Sequence, residues 1–252
     1  MINGYHHIRK AVKKAVKTSL ARVGYEIRQI PPPFSPSRVP YEENPEVGAD
    51  NLRRKLERSS KGGPFEWPDM LALNKTVVGL IGSARRIVEI GGGTGAFAYE
   101  AAMDPSIVVV CSELDRDAHK WAKVHRSRPN IHYINRPVAA SDGPFDLVVS
   151  IDVIEHVADF QAFLKTCTSL APKAIITTPN KNRTSRTSYA SPPTYNQHVR
   201  EWTGGEFYWV LRTLYDSVLL FGKQDPLGID LVPMRITDTL TPLVAISSSP
   251  RR

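Results

Sequence analysis

Four glycines fall among residues 91–95, directly after an apolar stretch that contains the acid Glu89. Glycine allows tight turns and lets the backbone approach a ligand closely. A strand that passes through such a turn into a helix is typical of a phosphate- or nucleoside-binding corner in an α/β sheet. The dinucleotide pattern G-x-G-x-x-G does not fit, because Ala96 stands where its last glycine belongs. The motif present is Glu89-x-Gly91-x-Gly93-x-Gly95.

A second acid, Glu113, follows the apolar run 107–112, which predicts the next strand along the chain. A carboxylate at this place can accept hydrogen bonds from the two ribose hydroxyls of a nucleoside. Asp115 is close enough in sequence to compete for that role, and it also fits the N-cap of the helix that follows. We assign Glu113 to the ribose and Asp115 to the cap.

A third stretch, Phe145 to Val157, reads F-D-L-V-V-S-I-D-V-I-E-H-V, and a T-P-N turn follows at 178–180. With the glycine motif and Glu113, these segments resemble class I S-adenosylmethionine (SAM) dependent methyltransferases over roughly residues 85–222. The resemblance implies SAM as the methyl donor. It also implies a cofactor site, in which we place Glu89, Gly91, Gly93, Gly95, Glu113 and Ser150.

One departure from the family pattern concerns adenine. Many relatives carry an acid after the third strand that receives the adenine amino group. Here the segment 134–138 contains no acid, and the next one is Asp142. Main-chain groups, Asn135 or Asp142 are the candidates, and the sequence does not choose between them.

Two carboxylates and two imidazoles form the candidate reaction centre. Asp152, Glu155 and His156 stand at i, i+3 and i+4, so one helical turn would place them on one face. With a distant His198 they would suit a divalent cation. Ubiquinone-pathway O-methyltransferases and small-RNA 3′-end ribose 2′-O-methyltransferases have a similar cluster, usually E-x-x-E-H, and residues 197–207 also resemble the RNA enzymes.

Two observations weigh against a metal at these residues. Asp152 is one methylene shorter than the usual Glu, and many metal-free small-molecule methyltransferases also carry E-H at this place. We therefore favour a site without metal. His156 is the first choice for the general base and His198 the second.

The net charge of +8 is concentrated at the ends of the chain. Residues 1–30 hold seven Lys and Arg against one Glu, a net +6, and Arg251 and Arg252 supply the rest. A protein that grips long nucleic acid usually spreads its basic surface over the binding domain, so this distribution argues against nucleic acid. Two cysteines are too few for a disulfide framework. The absence of a long apolar run or a signal peptide predicts a cytoplasmic protein.

Apolar residues recur at helical spacing between Ile8 and Ile27, with lysines on the opposite face. A basic amphipathic helix of this kind, within residues 1–30, either lies on an anionic membrane surface or packs on its own domain. Both interpretations stay open. Residues 31–48 are rich in proline and predict a linker, which leaves residues 49–250 for the methyltransferase domain.

Alternating strands and helices from residue 86 onward must position all of these side chains. The predicted strands are 87–90, 107–111, 130–134, 145–150, 173–178, 217–221 and 241–247. This alternation predicts an α/β fold with a doubly wound, mostly parallel sheet and helices on both faces. The resemblance implies seven strands in a Rossmann-like order, with an antiparallel strand near the C-terminus.

The leading hypothesis is a SAM-dependent methyltransferase that acts on an oxygen of a small-molecule or saccharide acceptor. A basic, tyrosine-bearing loop after the fifth strand would suit a sugar, a phosphate or a carboxylate. One alternative is a metal-dependent RNA 3′-end ribose 2′-O-methyltransferase. The other is a cofactor-binding scaffold that has lost turnover.

Overall fold

The computed structural model describes residues 46–63, 65–181, 197–235 and 238–251. Its helices are α1 (Glu46–Ser60), α2 (Pro68–Leu80), α3 (Ala96–Ala101), α4 (Arg116–His125), α5 (Phe160–Leu170) and α6 (Gly204–Arg212). Its strands are β1 (Arg86–Ile90), β2 (Val108–Ser112), β3 (Ile131–Ile134), β4 (Leu147–Ile151), β5 (Lys173–Thr178), β6 (Tyr215–Gly222), β7 (Val232–Pro233) and β8 (Leu243–Pro250).

The strands form one mixed sheet in the order β3-β2-β1-β4-β5-β8-β6-β7. Strands β1 to β5 are parallel, and β8 is antiparallel to both of its neighbours, β5 and β6. This confirms the predicted α/β fold, including the antiparallel strand near the C-terminus. The predicted count of seven is one too low, because β7 pairs with the edge of β6. Two residues are too short to produce a recognisable apolar pattern.

Apolar cores cover both faces of the sheet. Val88, Val148 and Ile176 face a core that contains residues of α5 and α6. Their neighbours in sequence, such as Ile87 and Val149, face a second core that contains residues of α2 and α3. Successive side chains of a strand point to opposite faces. Strands buried on both faces therefore read as the continuous apolar runs seen in the sequence.

The described part of the chain begins with α1, whose first residue lies three positions inside the predicted linker of residues 31–48. The predicted helix within residues 1–30 and the linker up to residue 45 lie outside the described residues, as does most of the loop after β5. No helix in the described ranges is both long and apolar enough to cross a bilayer.

Candidate functional site

The glycine loop between β1 and α3 depends on three left-handed residues. Gly91, Gly93 and Gly95 have φ angles of 74°, 53° and 75°, which side-chain-bearing residues rarely adopt. A Cβ at Gly91 would collide with Val153, and one at Gly95 would lie 2.6 Å from the Tyr133 hydroxyl oxygen. At Gly93 the same atom would meet nothing within 4 Å. Packing therefore fixes both ends of the loop, and its middle faces open space.

Glu113 ties this loop to the end of β2. Its carboxylate accepts the backbone N–H of Gly93 at 2.6 Å and that of Asp115 at 2.8 Å. Burial raises the pKa of Glu113, and these two N–H groups oppose the rise. The carboxyl is thus held beside the open face of the loop, and its contact with a ribose stays a prediction. Asp115 caps α4 by accepting the N–H of Ala118 at 2.7 Å, as predicted.

Glu89 and Ser150 are enclosed beneath the surface. Burial raises the pKa of Glu89 to about 8, so its carboxyl is largely protonated at neutral pH. Its Oε2 atom has no hydrogen-bond partner among the described residues and would lie 3.1 Å from a Cβ on Gly92. The Ser150 Oγ atom is likewise buried without a described partner, inside β4. Glu89 is therefore directly under the loop, whereas Ser150 lies within the sheet.

A SAM-type nucleoside donor fits this corner. The open space at Gly93 would let the backbone approach the ligand, and the Glu113 carboxylate lies beside it. The two side chains considered for adenine are already engaged. Asn135 donates to the carbonyl oxygens of Glu113 and Leu114, and Asp142 pairs with Arg136 at 2.6 Å. These bonds leave acceptor capacity on both side chains, so the choice between main-chain groups, Asn135 and Asp142 for adenine stays open.

The turn after β4 differs from the predicted helical turn. Asp152 has a left-handed backbone with φ of 52°, and residues Ile154–His156 form a short 3₁₀ turn. Two threonines at the end of β5 hold the acids of this turn. Thr177 donates its hydroxyl to Asp152 at 2.7 Å, and Thr178 donates to Glu155 at 3.0 Å.

Two histidines meet above this turn. The rings of His156 and His198 are 5.0 Å apart between centroids and cross at 75°. His156 Nδ1 lies 3.0 Å from the carbonyl oxygen of Gln197, and His198 Nδ1 lies 3.1 Å from Glu201 Oε1. A carbonyl oxygen only accepts, so His156 Nδ1 carries the proton and Nε2 the lone pair. Glu201, when it accepts this bond, imposes the same arrangement on His198.

Glu155, His156 and His198 form a compact group, and we call it the EHH cluster. One ligand atom of each residue lies within 4.8 Å of the others. Asp152, the fourth predicted member, is not part of this group. Its carboxylate accepts the hydroxyl of Thr177, and its charge still acts on Glu155. The prediction placed Asp152, Glu155 and His156 on one face, with a distant His198; the structure groups Glu155 and His156 with His198 and leaves Asp152 out of that group.

Burial controls the charge of the EHH cluster. It lowers the pKa of His156 to about 4, although the hydrogen bond to Gln197 opposes the change. Burial also raises the pKa of Glu155 well above its ordinary value, and Asp152 adds to the rise. At neutral pH His156 is therefore neutral, and burial shifts Glu155 towards its protonated form. A neutral imidazole can accept a proton or bind a cation, and a nearby cation would let Glu155 ionise.

The segment that carries His198 is anchored to the turn itself. The N–H groups of Val199 and Arg200 donate to the carbonyl oxygen of Glu155 at 2.8 and 3.1 Å. Glu201 is a functional neighbour that we did not predict. Its i+3 spacing from His198 was a usable signal, because an acid at that distance can orient a histidine ring. The partners Thr177 and Thr178 could be recognised only from the strand register.

Comparison with known proteins connects this geometry to a family. The profile of a methyltransferase domain family matches residues 45–214. A ubiquinone biosynthesis O-methyltransferase from Caulobacter sp. (strain K31) is 32% identical over 106 residues, or 39% of this chain and 42% of that protein. One from Methylobacterium sp. (strain 4-46) is 34% identical over 122 residues, or 46% of this chain and 48% of the relative. The chain thus spans less than half the length of these curated relatives.

Solved structures share the fold at low identity. The methyltransferase domain of bacterial CtHen1 aligns with a TM-score of 0.54 and 20% identity, over 71% of this chain and 99% of that one. The plantazolicin methyltransferase BpumL, solved with S-adenosylhomocysteine (SAH), aligns with a TM-score of 0.59 and 13% identity, over 84% and 95%. The profile match covers more than half of the chain and begins within one residue of α1. The resemblance is confirmed, and the chain belongs to the class I SAM-dependent methyltransferase family.

Proposed function

We propose that this protein transfers the methyl group of SAM to an oxygen of a small-molecule or saccharide acceptor bound at the EHH cluster. One contact carries the proposal. Val153 packs against Gly91 so closely that a Cβ there would collide with it, and His156 follows three residues later. Strands β1 and β4 are also neighbours in the sheet. We call the glycine loop 91–95 together with Glu113 the donor corner. The donor corner and the EHH cluster therefore lie side by side, as methyl transfer requires.

The residues of the chain would act by orientation and proton transfer. The acceptor oxygen attacks the methyl carbon in line, the carbon–sulfur bond breaks, and the sulfur keeps the electron pair as SAH forms. His156 Nε2 would accept the proton of the acceptor hydroxyl. The Gln197 carbonyl fixes the ring at Nδ1 and supports the positive charge that the imidazole gains.

A second candidate is metal-assisted O-methylation, and one observation favours it. The three potential ligand atoms of the EHH cluster lie within 4.8 Å of one another, and an oxygen holds each Nδ1 atom. Histidines that bind a metal through one ring nitrogen usually donate the N–H of the other to an oxygen in this way. A divalent cation bound there would hold two neighbouring oxygens of the acceptor and lower the pKa of the one that is methylated. The acceptor would then be a vicinal diol or a catechol.

The relatives found by comparison are compatible with both the metal-free and the metal-assisted candidate. The O-methyltransferases of ubiquinone biosynthesis point to a phenolic acceptor, and the CtHen1 domain shares the fold. A free ribose end is a vicinal diol, so the RNA alternative belongs to the metal-assisted candidate. The neutral charge balance of residues 31–250, which contain 24 basic and 24 acidic residues, supports a small acceptor over RNA.

Calorimetry with SAM and SAH comes first, followed by a transfer assay with labelled donor. The acceptor panel contains catechols, hydroxybenzoates, free sugars and RNA 3′ ends. We expect donor binding and transfer to one of the small hydroxylic acceptors. Binding without transfer to any acceptor would support the scaffold alternative, and absence of donor binding would overturn the proposal.

A peripheral contact between residues 8–27 and an anionic membrane is a separate proposal, since that segment lies outside the described residues. Sedimentation with vesicles of anionic phospholipid tests it with the full chain and a variant without residues 1–30. We expect the full chain to bind at low salt and to dissociate as salt rises, because exposed charges are screened. Equal sedimentation of both proteins would contradict it.

A further inference from the structure

A buried ionic network reaches the glycine loop from outside the predicted cofactor residues. Thr94, the non-glycine residue within 91–95, donates its hydroxyl to Glu66 Oε1 at 2.7 Å. Lys55 Nζ donates to the same hydroxyl oxygen at 3.0 Å. Glu66 lies between α1 and α2, and Lys55 lies on α1. Both Glu66 and Thr94 are only 4% exposed. The hydroxyl of the loop is thus held in both its donor and its acceptor role.

Two cations share the Glu66 carboxylate. Lys55 Nζ lies 2.7 Å from Oε2, and Arg126 Nη2 lies 2.9 Å from Oε1. Arg126 also donates to the carbonyl oxygen of Thr94 at 3.2 Å, so the network holds the backbone of the loop as well as its side chain. Burial raises the pKa of Glu66, but the charges and hydrogen bonds of Lys55, Arg126 and Thr94 outweigh burial and lower it overall. Glu66 is therefore ionised at neutral pH.

Aromatic side chains cover this network. Phe65 stacks on Trp121 with centroids 4.3 Å apart and an interplanar angle of 8°. The Arg126 guanidinium lies 5.8 Å from the Phe65 centroid and 5.4 Å from that of Trp121. Ion pairs shielded from water are specific in geometry, and removal of one partner is costly. Because the aromatic rings shield these ion pairs from water, their geometry is fixed. We call Glu66, Lys55 and Arg126 the strut.

We propose that Glu66, with Lys55 and Arg126, is a positioning residue for donor binding, an inference that rests on the SAM site proposed above. The network grips the residue between Gly93 and Gly95, both of which have left-handed backbones. Glycines lose much conformational freedom when they are ordered, so a loop without the strut would sample other shapes. The strut holds the binding shape before the donor arrives and removes that cost from binding. It also links the order of α1 to donor affinity.

Calorimetric titration of SAH into variants of the full chain tests this inference. Thr94→Val removes the hydroxyl and keeps the shape, and Glu66→Gln removes the shared charge. We expect both to weaken SAH binding about ten- to hundredfold, the range for losing charge-assisted hydrogen bonds. Thr94→Ser keeps the hydroxyl and should bind within about twofold of the original protein. Glu57→Gln on α1, which disrupts the exposed pair with Lys61, is the matched control and should bind normally.

A purely structural role gives a different result. If Thr94→Val and Glu66→Gln melt at lower temperature but bind SAH as tightly as the original protein when folded, the inference is overturned. Hydrogen exchange supplies a second readout that needs no variant. SAH should slow amide exchange in α1 if the strut couples α1 to the donor, and unchanged exchange there would also contradict it. If the original protein does not bind SAH, the proposed function itself fails.

Discussion

The donor corner and the EHH cluster each contain a buried acid, Glu113 and Glu155, and the two acids are held in different ways. At the donor corner, backbone N–H groups satisfy Glu113, and the loop gains its shape from glycine conformations. In the EHH cluster, side chains face one another and burial raises the pKa of Glu155. The first arrangement is set by the shape of the backbone. The second depends on the charge and protonation of its side chains.

Sequence separation gives the same contrast. Glu113 reaches Gly93 across 20 residues, within one strand–helix–strand unit. His156 meets Gln197 across 41 residues, and Glu155 is held by a threonine from the adjacent strand. A site assembled from separate segments depends on the sheet that brings them together.

The largest effect is expected from a substitution that changes the shape of the donor corner. Gly93→Val should abolish SAM binding, because a branched side chain would fill the open space over the loop and disfavour its left-handed backbone. Gly79→Val is the control, since Gly79 is exposed in α2 and a Cβ there meets nothing within 4 Å. Calorimetry and thermal melts check both variants. Unchanged donor affinity in Gly93→Val would remove the basis of the donor assignment.

The next effect tests the charge-controlled site. His156→Ala should lower turnover about 10²–10⁴-fold as a missing general base, with donor affinity unchanged. In a metal-free site, turnover does not respond to chelator, and His198→Ala is milder. Loss of turnover in chelator, restored by magnesium or manganese, would establish the metal-assisted candidate. In that case Glu155→Gln and His198→Ala should each be as damaging as His156→Ala, whereas Asp152→Asn should be milder because Asp152 lies outside the cluster.

A smaller effect distinguishes the two acids after β2. Glu113→Ala should weaken donor binding by about 1–3 kcal/mol, the range for hydrogen bonds to a charged group. Asp115→Ala should instead cost about 1 kcal/mol of folding stability through loss of the cap on α4. Donor titrations and denaturant unfolding of both variants separate the roles. A larger loss of affinity in Asp115→Ala would show that the ribose contact was assigned to the wrong acid.

A last effect concerns Glu89 and the dependence of stability on pH. Its pKa is about 8 in the folded protein and near 4.5 as an ordinary carboxyl, so the folded state binds the extra proton between these values. The free energy of unfolding should therefore fall as pH rises from about 4.5 to 8. Glu89→Gln should flatten this slope and be more stable than the original protein above pH 8, by roughly several kcal/mol, because a difference of one pKa unit corresponds to about 1.4 kcal/mol. Denaturant unfolding across this pH range is the measurement, and parallel curves would contradict the assignment.

The donor corner could be predicted from the sequence because its parts are local. A glycine spacing, an acid after the next strand and a capping Asp115 are each readable within a few residues. The EHH cluster could be predicted only in part. The left-handed backbone of Asp152 is uncommon for a residue with a side chain, so helical spacing misplaced it. Glu66 was missed because nothing near it in sequence connects the α1–α2 segment to the glycine loop.

The antiparallel strand β8 determines the order in which parts of the sheet can form during synthesis. Leu243 of β8 pairs with both Thr178 of β5 and Gly222 of β6. Among the described strands, β6 is therefore connected to β5 only through β8, which is synthesised after both. During synthesis the donor corner can form once β4 has been synthesised. The edges of β5 and β6 that pair with β8 stay unpaired until residues 243–250 follow. Such edges are where aggregation competes with folding. Nascent chains stalled before Leu243 should therefore resist protease around residues 86–125 and be cut within residues 173–222.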